Sequence, residues 1–198
     1  MPNHCTNSLV VEGHGDYPRS VRQQRLLKFA RDHYRKPSAW DGGTEEHKSI
    51  LDFSSSVPYP EDMEERQRMA SSSDSGWYMW RVANWGTKWG PYDVSPETIE
   101  EVIEACQGDT LQYSFDTAWS PPDVWLLTAS RKYPHLTFTL SFVEYGCDFA
   151  GKVKVVDGQL TTLEDFAPSD LVNSHPKYMM TKLETMVAEM GPWERLNM

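Results

Sequence analysis

The chain has 198 residues and a mass of 22.8 kDa, enough for one substantial core or two small ones. Acidic side chains outnumber basic ones 29 to 19, for a net charge of -10, and eight tryptophans within 12% aromatic residues exclude a disordered chain. Three scattered cysteines, Cys5, Cys106 and Cys147, are too few for a disulfide framework or a four-cysteine metal site.

No apolar run approaches the ~20 residues of a membrane span, and no basic-plus-apolar leader opens the chain. An acidic globular protein of the cytoplasm is expected. The charge is uneven: residues 1–50 hold eight basic and six acidic side chains, residues 51–150 six and sixteen. Such asymmetry marks a solvated face or a docking surface.

Asn7 to Glu12 reads as a short strand, broken by Gly13, Gly15 and Pro18. From Ser20 to Arg35 the period turns helical on Val21, Leu26, Leu27, Phe29, Ala30, His33 and Tyr34, and Pro37 stops it. Ile50 to Val57 is expected to be a second strand. Residues 61–94 are the least regular: the serine-rich run 71–76 reads as a loop, followed by Trp77, Tyr78, Trp80, Trp85 and Trp89. Ser95 as N-cap and Pro96 in the first turn then predict a helix on Ile99, Val102, Ile103 and Cys106, ended by Gly108.

Leu111, Tyr113 and Phe115 alternate with polar residues, as do Leu136, Phe138, Leu140 and Phe142. Between them Pro121-Pro122 opens a short helix through Trp125, Leu126, Ala129 and Lys132. Val153 and Val155 alternate before an Asp157-Gly158 turn, so an extra hairpin is expected near 149–156. Lys177 to Met190 is expected to form an amphipathic helix on Met179, Leu183, Met186 and Met190. The order predicts an α+β fold, a split βαβ antiparallel sheet with helices on one face.

The open face would then carry Asp52, Ser54, Gln112, Ser114, Asp116, Thr137, Thr139 and Ser141. It lacks the aromatic and basic groups of an RNA-reading sheet, so direct nucleic-acid binding is not expected. Glu144 continues the apolar parity of β-strand residues 136–142. Either the strand bulges before Tyr145-Gly146, or Glu144 lies at the sheet end, in solvent or with a partner such as Lys88 or an indole N–H.

Two readings of the tryptophan-rich segments stand side by side. In one, Trp85, Trp89 and Trp119 pin a loop onto the sheet, with Asn84, Asp116 and Thr117 satisfying donors. In the other, Asn84, Trp85, Thr87, Lys88, Trp89, Asp116, Thr117, Trp119 and Glu144 line a pocket for a small polar or nucleotide-like ligand. Asp116 and Glu144, placed on adjacent strands, would offer a carboxylate pair. His4 and Cys5 are neighbours on a strand and should face opposite ways, and His33 and His47 lack metal-ligand spacing. No metal, no cofactor and no catalytic residue is assigned, and binding is expected before catalysis. Asp62, Glu64, Glu65, Glu100, Glu101 and Glu104 are the candidate protein-docking residues.

Four phrases carry a resemblance: Met1-Pro2-Asn3-His4-Cys5-Thr6-Asn7 before a strand and Gly13, Asn84-Trp85-Gly86-Thr87-Lys88-Trp89-Gly90, Phe115-Asp116-Thr117-Ala118-Trp119-Ser120-Pro121-Pro122, and Phe149-Ala150-Gly151. Over about residues 1–158 the chain resembles the YubB-like family of plasmids and bacteriophages, whose C-terminal part is described as a ferredoxin-like domain. The chain is thus expected to hold a ferredoxin-like domain over 1–160 with an insertion at about 59–109, then, outside the resemblance, a linker and amphipathic helix over 161–198. "Ferredoxin-like" names a topology here, since four cluster-binding cysteines are absent. The resemblance implies no reaction. It does imply a mobile-element accessory protein that binds a host protein through the acidic surface, blocking for instance a nucleic-acid-targeting defence system. The Met-rich helix also suits docking onto a second copy or a host protein.

Overall fold

The computed structural model describes residues 3–35, 49–60 and 76–167. The serine run 71–75, the acidic residues Asp62, Glu64 and Glu65, His47 and the Met-rich C-terminal segment lie outside the described residues. Among the described residues six strands and four α-helices follow in order: β1 (His4–Gly13), α1 (Arg19–His33), α2 (Gly76–Trp85), β2 (Tyr92–Ser95), α3 (Ile99–Ala105), β3 (Thr110–Ala118), α4 (Asp123–Lys132), β4 (Leu136–Glu144), β5 (Phe149–Val156) and β6 (Gln159–Phe166). A 3-10 turn at Phe53–Ser55 sits between α1 and α2.

Every neighbouring pair in the sheet is antiparallel, in the order β2-β3-β1-β4-β5-β6. The four strands β2-β3-β1-β4 are the split βαβ arrangement, with β5 and β6 added beyond β4. Asp157 and Gly158, both at positive φ, make the tight turn between those two strands.

Alternation along the strands is what the sequence dictates. Cys5, Leu9, Val11, Leu111, Tyr113, Phe115, Phe138 and Leu140 point to one buried face. There the Phe29 ring of α1 meets Tyr113 and Phe138, with centroids 6.5 and 5.4 Å apart. Phe53 stacks on Trp125 at 4.3 Å and meets Phe115 edge-on. The helices thus seal one face of the sheet.

Three local expectations fail, each for a physical reason. Ile50 to Val57 is no strand; the second strand of the sheet is β2. Asp52 instead caps the 3-10 turn, accepting from the Ser54 N–H at 3.0 Å. The carbonyls of Phe53 and Val57 are taken by the indole N–H groups of Trp125 and Trp85, at 3.2 and 3.0 Å. Short polar side chains that bond their own backbone compete with a ladder, and here they win. Asp52 and Ser54 therefore leave the list of open-face residues.

The helix after Pro96 starts later than Ser95 implied. Thr98 is its N-cap, and Thr98 and Glu101 exchange the reciprocal bonds of a capping box, while Ser95 ends β2. The tryptophan-rich stretch is itself a helix, α2. Trp77, Trp80, Arg81, Asn84 and Trp85 recur at helical spacing, a signal that indole density hid.

His33 closes α1 inside the core. Its Nδ1–H donates to the Phe29 carbonyl at 2.9 Å, and its Nε2 accepts from the Ser56 hydroxyl at 2.7 Å. Burial pushes its pKa down to about 4, so the ring is neutral at pH 7. No helix among the described residues is long and apolar enough to cross a membrane.

Candidate functional site

The two tryptophan-rich segments meet at the end of the sheet where β1 begins and β3 ends. Gly86 stops α2 at φ +84°, and its carbonyl accepts from the Ser120 hydroxyl at 2.6 Å. Buried Thr87 donates its hydroxyl to the Ala118 carbonyl at 2.9 Å, and the Lys88 N–H reaches the same oxygen at 3.4 Å. Thr117 donates to the Ser120 carbonyl at 2.8 Å and accepts from the Asn7 amide at 2.9 Å. Asn84 donates to Trp80 within its own helix. Thr87 and Thr117 thus hold the loop on the sheet, while Asn84 bonds within its helix and the Trp85 indole reaches the Val57 carbonyl. Asn7, unremarked as a site residue, is fully buried and also bonds the carbonyls of Cys5 and Phe115.

Lys88, Trp89, Asp116 and Trp119 keep part of their surface in solvent. The Lys88 ammonium lies 5.1 Å from the Trp89 ring centre and 5.9 Å from that of Tyr78. Trp119 is 42% exposed and sits at φ +76°, a conformation L residues rarely hold, fixed by its N–H bond to the Asn3 carbonyl at 3.0 Å.

Two residues that the sequence did not single out together complete this end. His4 pairs with Ala118 in the β1–β3 register, and Tyr92 pairs with Asp116 in β2–β3. The Tyr92 hydroxyl stands 2.8 Å from His4 Nδ1 and 3.3 Å from the Thr117 carbonyl, and His4 Nδ1 is 3.7 Å from an Asp116 oxygen. Burial raises the Asp116 carboxyl, partly offset by the Thr6 hydroxyl and His4. Burial, with Asp116 nearby, pushes the Tyr92 phenol up to about 12.

Glu144 does not join them. Asp116 shares its face with Thr6 and Val143, and the next residue of β4 turns to the helix-covered side. Strand β1 also lies between β3 and β4, so Asp116 and Glu144 are neither on adjacent strands nor on one face. The expected carboxylate pair is not formed. Glu144 is 1% exposed, and its carboxylate accepts from the N–H groups of Gly146 and Cys147 at 2.7 and 2.5 Å. Its partners are therefore its own turn, neither solvent nor Lys88 nor an indole.

Contact with that carboxylate raises the Cys147 thiol. Cys5 is buried on the opposite side from His4, and burial drives its thiol far up, so the two form no nucleophile–base pair. Among the described residues no group of three or more His, Cys, Asp or Glu could hold a metal ion.

The acidic candidates Glu100, Glu101 and Glu104 are exposed on α3, with Glu97 before them and Asp93 on β2. Glu101 is partly spent on its capping box, accepting from the backbone of Glu97 and Thr98.

Residues 84–171 match the model of a family described as the ferredoxin-like domain in Api92-like protein. The crystal structure of a protein api92 from Yersinia pseudotuberculosis superposes with a TM-score of 0.52 at 10% sequence identity, covering 84% of this chain and 99% of that one. No curated protein matches the chain. Strand order and comparison agree: over residues 84–171 this chain is similar to the ferredoxin-like domain of Api92-like protein, and the likeness shows a fold.

Proposed function

We propose that the protein binds a basic, nucleic-acid-binding host protein through the edge formed by β2 and α3, as an accessory protein of a phage or plasmid. One observation carries this reading. Between Lys88 and Arg131 the chain has eight carboxylates and no Lys or Arg, and the first five, Asp93, Glu97, Glu100, Glu101 and Glu104, are all exposed on β2, on α3 and on the turn between them. Asp109, the sixth, is tied to Arg19 and Arg22 of α1 at 3.5 Å each. Like charges gathered on one edge steer a partner of opposite sign and repel nucleic acid, so the partner's DNA or RNA is displaced rather than bridged. The mobile-element context rests on the sequence resemblance.

Reversing Glu97, Glu100 and Glu104 to Lys, with Glu101 kept for its cap, tests the reading. Native mass spectrometry on protein gently purified from a bacterial host is expected to show a stoichiometric host protein on the wild type and none on the variant. Exposed substitutions of this kind move stability by only about 0.5 kcal/mol, so thermal unfolding should barely change. A complex that survives the reversal defeats the proposal.

A second reading is favoured by the His4–Tyr92–Asp116 cluster beside exposed Trp119. His4 is exposed, with the Tyr92 hydroxyl and an Asp116 oxygen both at its Nδ1, so Nε2 is the ring nitrogen left for a ligand. That nitrogen and the indole suit a small polar or nucleotide-like ligand. Asp116→Ala is then expected to abolish a small-molecule mass adduct that the charge reversals leave in place; an adduct unaffected by Asp116→Ala rejects this reading.

A further inference from the structure

The face of the sheet away from the helices is not the solvated surface that its polar composition predicts. Its side chains form registered rows across the strands, Ser114–Ser8–Ser141 and Asp116–Thr6–Val143, the second continuing to Ala150 on β5. Ser8, Ser114, Ser141, Val143 and Ala150 are each no more than 7% exposed. The described helices send Leu26, Trp85, Val102 and Trp125 into the core on the other face, so they do not supply this burial. The Gln112 amide donates to the Ser8 hydroxyl at 3.2 Å and shields that one position. Val143 is different: the side chains paired beside it are Thr6 and Ala150, too short to take a valine out of water. Around the patch Gln112, Lys154, Thr162 and Glu164 stay exposed. A buried middle inside an exposed rim is the footprint of a covering element.

The chain beyond β6 has the reach and the chemistry to be that element. Phe166 pairs with Ala150 and Ala150 with Val143, so β6 ends in the row of the patch itself. Residues 168–176 can bridge about 30 Å when extended. Three strand spacings, about 14 Å, separate β6 from β1. As a helix, Lys177 to Met190 is about 21 Å long, enough to cross the Ser114–Ser8–Ser141 row. Met179, Leu183, Met186 and Met190 recur along it at helical spacing. A face of Ser, Thr, Ala and Val has shallow relief, and unbranched methionine side chains adapt to such a surface. The tether also holds the segment at about millimolar effective concentration, an advantage that a separate chain lacks.

We propose that the C-terminal segment of this chain lies across the helix-free face, with its methionine stripe seated on Ser8, Ser141 and Val143. The sheet then carries a helix on both sides, a three-layer fold in place of two. This contact is independent of the acidic residues of β2 and α3.

Brief peroxide oxidation of the full chain, followed by peptide mass spectrometry, tests it. Met79 on α2 is 58% exposed and serves as the internal reference. Met179, Met186 and Met190 are expected to oxidise at least about tenfold more slowly, since only a minor undocked state reacts. Ser141→Arg, which puts a long cation under the segment, should bring all three to the Met79 rate, and Ser141→Ala should leave them protected. Oxidation of the three as fast as Met79 overturns the proposal. So does protection that survives Ser141→Arg, or protection that grows with protein concentration, the mark of a second copy. Where Ser141→Arg folds poorly, a benzophenone side chain in place of half-buried Val10 decides. Its crosslink must fall within residues 177–190 of the same chain, and any other product, or none, overturns the proposal.

Discussion

Gly86→Ala is expected to destabilise the protein by about 2–4 kcal/mol, read as a fall in the urea midpoint at unchanged slope. Two effects combine. The residue sits at φ +84°, where an L side chain is strained. An added Cβ would also collide with the Asp123 carboxylate and stand 3.1 and 3.2 Å from the Pro121 carbonyl and the Val124 N–H nitrogen, at the start of α4. Backbone there cannot yield without moving the helix. The substitution should also loosen the Thr87–Ala118 and Ser120–Gly86 bonds, so amide exchange at residues 86–90 should accelerate beyond what the global change explains. A midpoint within 0.5 kcal/mol of wild type, the margin of an ordinary surface substitution, would refute this account of the pinned loop.

The second large effect is a loss of stability on acidification. His33 titrates at about 4 in the fold against 6.5 in a free chain, because burial penalises its charged form. As pH falls through 6.5 the unfolded chain takes up a proton that the folded one refuses. The stability is therefore complete above 6.5, lost progressively between 6.5 and 4, and flat for this group below that. At 1.4 kcal/mol per unit the loss reaches about 3 kcal/mol. Urea titrations at pH 7, 6, 5 and 4.5 should show it, and His33→Gln should remove that part of the slope while carboxylates contribute equally to both proteins. Parallel slopes in the two proteins would show that His33 is not neutral in the core.

The sheet was legible wherever alternation was long. Leu136 to Phe142 and Leu111 to Phe115 declare their buried faces residue by residue, and Asp157-Gly158 announces its turn. Tyr92–Ser95 was not legible, because four residues carry too little periodicity, and Ile50–Val57 offered a better apolar run. The Asp52 cap, together with the indoles of Trp85 and Trp125 that capture its carbonyls from elsewhere in the chain, decides against a strand there. The candidate site divides in the same way. The loop-pinning role of Thr117 follows from local chemistry. The meeting of His4, Tyr92 and Asp116 depends on strand order, as does the separation of Asp116 from Glu144 by β1. No spacing within one segment reports it.

The two rims of the sheet are guarded unequally. Strand β2 is four residues long, its register slips between Tyr92 and Ser95, Asp93 adopts φ +50°, and Pro96 follows at once. An incoming chain finds no regular row of N–H and C=O groups to extend, so this rim resists templated aggregation. Strand β6 is eight residues, and among the described residues nothing pairs beyond it. Of the two rims, β6 at Gln159–Phe166 presents the longer row of backbone groups, far in strand order from the acidic rim.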